Sequence, residues 1–190
     1  MKKKIIFICW VSWSWKSTII NALLKTNRFI YFPSYSTRIM RPWEINWERY
    51  NFITVNEFKE SIKKKEFLEY NIYCGNYYGT KKDIISPINW EKIPIKESDL
   101  SWLSKIIKWH QIDNKFISIF LSIPAKIQIE RIKKRWAPIT DEELEKRLKL
   151  GEKERTLAKK ICNHILNLDN HSEKENINKV LDTLKKEKIL

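Results

Sequence analysis

Lys16, Ser17 and Thr18 stand between two apolar runs, Ile5-Ile6-Phe7-Ile8-Cys9 and Ile19-Ile20-Asn21-Ala22-Leu23-Leu24. A lysine and a hydroxyl opening a helix after a buried strand suit phosphate chemistry. The ammonium can reach β- and γ-phosphate oxygens, and the hydroxyl can hold Mg2+. The residues before them read Trp10-Val11-Ser12-Trp13-Ser14-Trp15. Glycine at 10, 13 and 15 would complete the phosphate loop G-x-x-x-x-G-K-S. As written, the pattern is interrupted where its chemistry admits no side chain. Such a loop aims successive backbone N–H groups at phosphate oxygens, helped by the positive end of the helix that follows. It needs positive φ values, which glycine adopts cheaply and a bulky residue does not. An indole at 10 or 15 would also fill the space of the β-phosphate.

The chain of 190 residues holds nine tryptophans and three glycines. Ordinary glycine usage of about 7% would give roughly 13, close to the two residue types together. Trp43 and Trp47 lie among turn signals, Trp90 follows Pro87-Ile88-Asn89, and Trp102 follows Asp99-Leu100-Ser101, where a strand should end. Trp109 falls between a helical stretch and the next strand, and Trp136 closes the basic run Lys133-Lys134-Arg135. None is expected on the apolar stripe of a helix or strand, where tryptophan ordinarily packs. The pattern predicts required glycines: three in the loop, two in the arm after it, one at the strand end near 102 and one near 136. Trp90 and Trp109 are expected in plain turns that carry no chemistry. A UGA codon, read as tryptophan in some genetic codes and as glycine in others, would make this exchange. The Lys-, Ile- and Asn-heavy composition fits an AT-rich gene.

A second constellation is Ser34-Tyr35-Ser36-Thr37-Arg38-Ile39-Met40-Arg41-Pro42. Two arginines three apart in a loop can aim at one dianion, because the guanidinium fork matches phosphate oxygens. On spacing alone, surface charge is the commoner reading. With 43 and 47 read as glycine, residues 34–52 run S-x-S-T-R-x-x-R-P-G-E-x-N-G-x-x-Y-x-F and closely resemble the nucleotide-monophosphate arm of guanylate kinases. Lys65-Glu66-Phe67-Leu68-Glu69-Tyr70 is similar to that family's E-F-x-E segment, and Gly75-Asn76-Tyr77-Tyr78-Gly79-Thr80 to its G-N-x-Y-G-[ST] segment. The resemblance covers nearly the whole chain.

It implies ATP and GMP as substrates, Mg2+ as cofactor, and the following roles. Arg38, Arg41, Tyr50 and Tyr78 would bind the GMP phosphate. Glu69 would accept from the guanine N1–H and exocyclic amine, with Ser34 and Thr80 touching the base from other sides. Without the resemblance, Glu69 is a charged residue on the exposed face of a strand. The loop Trp10 to Thr18, including Val11, Ser12, Trp13 and Ser14, would bind ATP. Lys16 and Arg41 would act in phosphoryl transfer with Arg135 and Arg147, while Arg131 and Arg135 would close over ATP phosphates. Asn167 would lie near the adenine. Ser17 would hold Mg2+ directly and Asp99 through water. Glu97-Ser98-Asp99-Leu100-Ser101-Trp102 stands where the family has D-x-D before Q-G; Glu replaces the first Asp and Ser replaces Gln, and the resemblance implies GMP contacts at Glu97 and Asp99. The lid is one residue longer than the usual spacing.

Several elements must position these groups. Residues 4–9 predict a buried strand and 16–25 a helix. A short strand, 29–32, leads into an irregular arm from 33 to 50. Helical spacing over 56–64, with Asn56 as cap, precedes a strand over 67–73. A short strand follows at 93–95 and a core strand at 115–122, with a helix over 124–134. Thr140 followed by Glu143 predicts a helix start, and that helix should run to about 160. A strand at 164–168 and an amphipathic helix at 173–188 close the chain. Strands alternating with helices predict an α/β fold, a parallel sheet covered on both faces. One domain is expected: a core of about 1–32, 83–124 and 151–190, a GMP-binding arm of about 33–82 and a lid of about 125–150.

The formal net charge is +14. Scattered lysines read as solvated surface, and a basic balance also suits an enzyme holding two polyanionic nucleotides, so no nucleic-acid partner is expected. Cys9, Cys74 and Cys162 have no paired or metal-like spacing, which reads as reduced thiols in a cytoplasmic protein. His110, His164 and His171 add no ligand pattern. Lys2-Lys3-Lys4 leads into only five apolar residues, so neither leader nor membrane span is expected. The pattern leaves oligomeric state open. Two other readings use the same residues: a P-loop kinase for another small phosphorylated acceptor, and, should the loop tryptophans be genuine, a catalytically dead kinase-like module that binds a partner.

Overall fold

The computed structural model describes residues 4–11, 14–73, 75–85, 91–110, 116–135, 139–168 and 172–190. Ser12, Trp13, Cys74, Trp90, Trp136 and His171 therefore lie outside the described residues, and Arg135 is described by its backbone alone. The first apolar run forms β1 (Ile5–Trp10), buried until its last residue. It occupies the middle of a five-stranded sheet with β2 (Phe29–Tyr31), β7 (Ile93–Glu97), β8 (Phe116–Ser122) and β9 (His164–Asn167), in the order β2-β7-β1-β8-β9. Every pairing in it is parallel. Strands buried on both faces read as continuous apolar runs, which is why β1 and β8 were visible without alternation. The register sets Ile8 beside Glu97 on one side and Ile119 on the other, so Trp10, Glu97 and the loops after them share the carboxyl edge of the sheet. That edge is where open α/β sheets bind ligands.

Helices α1 (Lys16–Lys25), α3 (Leu100–His110), α4 (Ala125–Arg135), α5 (Asp141–Ile161) and α6 (Glu173–Lys186) cover this sheet. Thr140 caps α5 by accepting from the Glu143 backbone N–H. Ser172 and Glu175 form a reciprocal capping box at α6. The predicted lid comprises α4 and the first half of α5, so its expected end at 150 falls inside one unbroken helix.

The segment expected to be irregular holds two short strands, β3 (Ser34–Ser36) and β4 (Tyr50–Phe52). With β5 (Phe67–Tyr73) and β6 (Asn76–Lys81) they make a second sheet, ordered β4-β3-β6-β5. Three-residue strands are too short for alternation to announce them. Helix α2 (Val55–Lys63) begins one residue earlier than expected, and Thr54 rather than Asn56 is its cap, in a capping box with Glu57. The arm has its own small core of Tyr35, Phe58 and Phe67, with Phe58 and Phe67 stacked at 4.2 Å. Gly79 sits beneath them, where an added Cβ would meet the Phe67 ring at 2.8 Å.

The expectation that no tryptophan lies on the packed stripe of a helix is corrected at Trp102, and Trp109, expected in a turn, also has helical backbone. Helix α3 starts at Leu100 and runs to His110, so Trp102 and Trp109 are helical rather than in turns, and Trp102 is buried. Asp99 moves the start upstream: its carboxylate accepts from the Trp102 backbone N–H at 2.9 Å and the Ser101 hydroxyl at 2.6 Å, as a helix cap does.

Candidate active site

The carboxyl edge of the large sheet and the arm enclose a cleft of about 460 Å³, lined by Lys16, Glu97 and Asp99 from the core and by Ser34, Arg38, Arg41, Tyr50 and Tyr78 from the arm. Trp10, Tyr31, Glu44 and Arg49 also face it. Nine residues expected at the site from sequence, Trp10 among them, thus surround one space.

Its arm side is basic and pre-positioned. Arg38 makes a two-pronged pair with Glu44, at 2.7 and 2.5 Å, and lies over the Tyr50 and Phe52 rings. The Arg38 hydrogen bonds hold the Glu44 carboxyl down at about 2, and Glu44 also accepts from the Arg41 backbone N–H at 2.9 Å. One acidic side chain therefore fixes the turn that carries both arginines. Tyr50 and Tyr78 meet edge to face at 6.2 Å, and burial, then the Glu97 charge, raises the Tyr50 hydroxyl above its ordinary value.

At the far end of the arm sheet, Glu69 and Thr80 face each other across β5 and β6. Both Glu69 oxygens and the Thr80 hydroxyl are buried without hydrogen-bond partners. Glu69 is 4% exposed, which corrects its bare reading as a surface charge. Burial pushes its carboxyl up to about 7, with the nearby Thr80 hydroxyl and the Lys96 ammonium pulling the other way. Three unpartnered polar atoms in one buried corner are a rare and costly arrangement in a folded chain. They suit a ligand that donates two hydrogen bonds side by side. Ser34, at the same end, accepts from Lys96 Nζ at 2.8 Å.

The core side is built around the loop before α1. Trp15 ends that loop with φ 62°, in the left-handed region. Trp47 in the arm takes φ 71°. Left-handed backbone is a strong outlier for a bulky side chain. The Lys16 ammonium lies 3.7 Å from the centre of the Trp10 ring and is ion-paired with Glu97 Oε2. Arg131 lies over the Trp15 ring at 4.8 Å, and burial lowers its pKa. Two cations expected on ATP phosphates therefore rest on two of the loop indoles. Ser17 is exposed and Thr18 half-buried on the first turn of α1.

Other expected residues lie apart from the cleft lining. Arg147 bonds Glu143 one turn back along α5, at 2.7 Å. Asn167 is exposed at the end of β9, where its carbonyl accepts from Lys179. Among the described residues no cluster of three or more His, Cys, Asp or Glu could hold a metal. No described helix is long and apolar enough to cross a membrane.

The guanylate kinase family model matches residues 2–187. A guanylate kinase of Clostridium tetani (strain Massachusetts / E88) is 32% identical over 186 residues, 97% of this chain and 88% of that protein. A guanylate kinase of Trichormus variabilis (strain ATCC 29413 / PCC 7937) is 30% identical over 168 residues, 87% of this chain and 83% of its own length. The chain belongs to the guanylate kinase family. In fold it resembles the crystal structure of guanylate kinase from Anaplasma phagocytophilum, with a TM-score of 0.71 at 20% identity, covering all of this chain and 89% of that one.

Four side chains, two lining the cleft and two in the structure around it, escaped the sequence reading. Glu44 was only a letter in a motif until its pairing with Arg38 appeared. Arg49 donates to Glu97 Oε1 at 3.0 Å and to Asn21, and lies over Tyr31, so it ties the arm to the core. Arg155 donates to the Ile123 carbonyl at 2.9 Å and Gln128 at 2.8 Å, joining α5 to the loop after β8. Lys96 is buried within β7, a strand that otherwise reads as apolar core. A lysine inside a run such as Ile93-Pro94-Ile95 is the one signal that could have found a member of this group.

Proposed function

We propose that this chain transfers the γ-phosphoryl group of ATP to the phosphate of GMP in the cytoplasm, giving ADP and GDP. The observation that carries the reading is the buried Glu69–Thr80 corner with its three unpartnered polar atoms; it lies outside the cleft lining but is joined to it by Ser34, which lines the cleft and accepts from Lys96, the ammonium whose charge acts on Glu69. An ionised carboxylate there satisfies the adjacent N1–H and amino donors of guanine. Adenine offers no such pair, and a sugar acceptor needs no such corner. Membership of the family supports the same reaction.

In that reaction Arg38, Arg41, Tyr50 and Tyr78 hold the GMP phosphate, and Glu44 keeps Arg38 and the Arg41 turn in place. A phosphate oxygen of GMP attacks in line, the bond from the γ-phosphorus to ADP breaks, and no covalent enzyme intermediate forms. Charge neutralisation and positioning carry the rate. Lys16 is the cation on the phosphates being separated, and it must leave Glu97 to do this. Arg131 and Arg135 on α4, with Arg147 on α5, supply the lid charges, and Asn167 borders the adenine. Mg2+, bound with ATP, would neutralise phosphate charge, and Ser17 directly and Asp99 through water are the residues to hold it. The Ser101 and Trp102 donors already engage one Asp99 oxygen, which fits a role at one remove.

We also read the tryptophans of the loop and arm as positions that require glycine. Trp15 and Trp47 hold left-handed backbone, and the Trp10 and Trp15 indoles carry Lys16 and Arg131. Trp102 and Trp109 make no such demand, since they lie within α3. A coupled assay with GMP, dGMP and AMP, run on the chain as written and on one with glycine at positions 10, 13, 15, 43 and 47, tests both statements. GMP turnover is expected in the glycine form and nearly none in the other. No turnover of any monophosphate in either form would leave a binding module. Mass spectrometry of the natural protein settles the letter at position 15, and a peptide with intact tryptophan there would sink the glycine reading.

A further inference from the structure

Lys96 is 1% exposed, in the second-last position of β7. A fully buried lysine is rare unless paired, and an ammonium out of water costs several kcal/mol unless its donors find acceptors. Its Nζ donates to Ser34 Oγ at 2.8 Å and, weakly, to the Phe32 carbonyl at 3.4 Å. The charges around it are Glu69 on β5, Glu97 beside it on β7 and Asp83 on the turn after β6. Around Glu69 in turn stand Thr80 on β6, Lys96 on β7, Asp99 before α3 and Lys105 on α3. The carboxylate with no hydrogen-bond partner and the buried ammonium are thus each other's neighbours at the corner assigned to the base. We infer that Lys96 is a positioning residue for base recognition, a buried counter-charge that keeps Glu69 ionised and makes Ser34 a hydrogen-bond donor toward the base.

Both effects follow from elementary chemistry. An ammonium has donors only, so Ser34 Oγ accepts from it and the Ser34 hydroxyl proton must point elsewhere. A donor in that place suits a keto oxygen such as that of guanine and opposes an amino group. Glu69 must be ionised to accept two donors at once, yet burial favours its neutral form, and an adjacent cation offsets that preference. Burial also drags the Lys96 pKa down to about 8, so the pair is charged as a unit only near neutrality. Lys96 touches neither phosphate site, and a methionine of similar length would fill the same space with no desolvation cost. Its energetic disadvantage in the core is what a recognition role accounts for.

The inference rests on the reading of the cleft as a GMP site, and one experiment separates the two. The dependence of kcat and KM on pH between 5.5 and 8.5 is measured for the form that turns over GMP and for its K96M, E69Q and K96M/E69Q variants. In the parent, KM for GMP falls as pH rises through the Glu69 titration. K96M is expected to move that midpoint up by about one unit and to raise KM for GMP by about fivefold at pH 7, approaching tenfold at the acid end of the range, one pKa unit being one decade. Its kcat at saturating GMP and its KM for ATP should move far less. E69Q should lack the acid limb, and adding K96M to it should do little more. A K96M midpoint equal to the parent's would overturn the inference, as would a K96M effect undiminished in the E69Q background. A parent that turns over no GMP in either form overturns the reading of the cleft, and this inference with it.

Discussion

Glu69 is where stability and recognition oppose each other most clearly. Its carboxyl titrates at about 7 in the folded chain, above its ordinary value, because burial disfavours the charge. The sign is then fixed: the penalty is absent below the ordinary carboxylate range, grows as pH rises through it, and is complete above about 7. E69Q removes a charge the empty site does not want. Its melting temperature should exceed the parent's at pH 8 by several degrees and by much less at pH 5. Activity should go the other way. A glutamine opposes one guanine donor with a donor of its own, which leaves buried polar groups unpaired. A loss in kcat/KM for GMP of about 100-fold or more is the expected result. Thermal melts at the two pH values and GMP kinetics check both halves. Glu44 makes the contrasting case, since its carboxyl is held at about 2 by Arg38. E44A should raise KM for GMP by roughly tenfold at neutral pH through loss of orientation of the two arginines, with little change in KM for ATP.

At the scale of elements, the arm is the weaker unit. Its core is three buried aromatic residues, whereas the parallel sheet rests on a continuous cluster running through β1, β8 and the helices. Gly79 permits β6 to pass under Phe67 and Phe58, which an added Cβ would meet at 2.8 and 2.9 Å. G79A should cost about 1–3 kcal/mol, the range for overpacking a tight site. The loss should fall on the arm: hydrogen exchange quickens in β5 and β6, while β1 and β8 amides keep their protection. The same difference in scale decided what could be read from sequence. Long apolar runs and capped helices, such as 5–10, 116–122 and the Thr140 start of α5, announce themselves because each carries its own period or cap. Strands β3 and β4 did not, being three residues long and defined by partners distant in sequence. Thr54 was passed over for Asn56, although the Thr54–Glu57 spacing of a capping box was present. That Arg38, Arg41, Tyr50 and Tyr78 gather round one cleft was legible through motif spacing. Lys96 and Arg49 were not, because their meaning lies wholly in partners 62 and 48 residues away.

Across the whole molecule, the cleft works only if its two halves meet on free cations. The described contacts instead run in a chain: Trp10 beneath Lys16, Lys16 on Glu97, Glu97 on Arg49, and Arg49 on the arm. Glu97 is a partner that a triphosphate outcompetes, because several phosphate charges face Lys16 against one carboxylate. The indoles are different. They occupy volume, and no charge advantage displaces them while Trp15 holds the turn at φ 62°. Replacing Trp15 relieves roughly 1–2 kcal/mol of left-handed strain but gives up the packing of a half-buried ring, so stability should change little. Binding should change greatly. W10G/W13G/W15G is expected to tighten ATP by at least ~100-fold, about 2.7 kcal/mol. GMP affinity should move by less than about fivefold, since its arginines, tyrosines and Glu69 all belong to the arm. Calorimetric titration of each nucleotide separately reads both numbers. Equal ATP affinity in the two forms would mean that the loop tolerates its indoles and that the steric argument fails. A parallel rise in GMP affinity would mean instead that the two halves are coupled through Lys16, Glu97 and Arg49 before any nucleotide arrives.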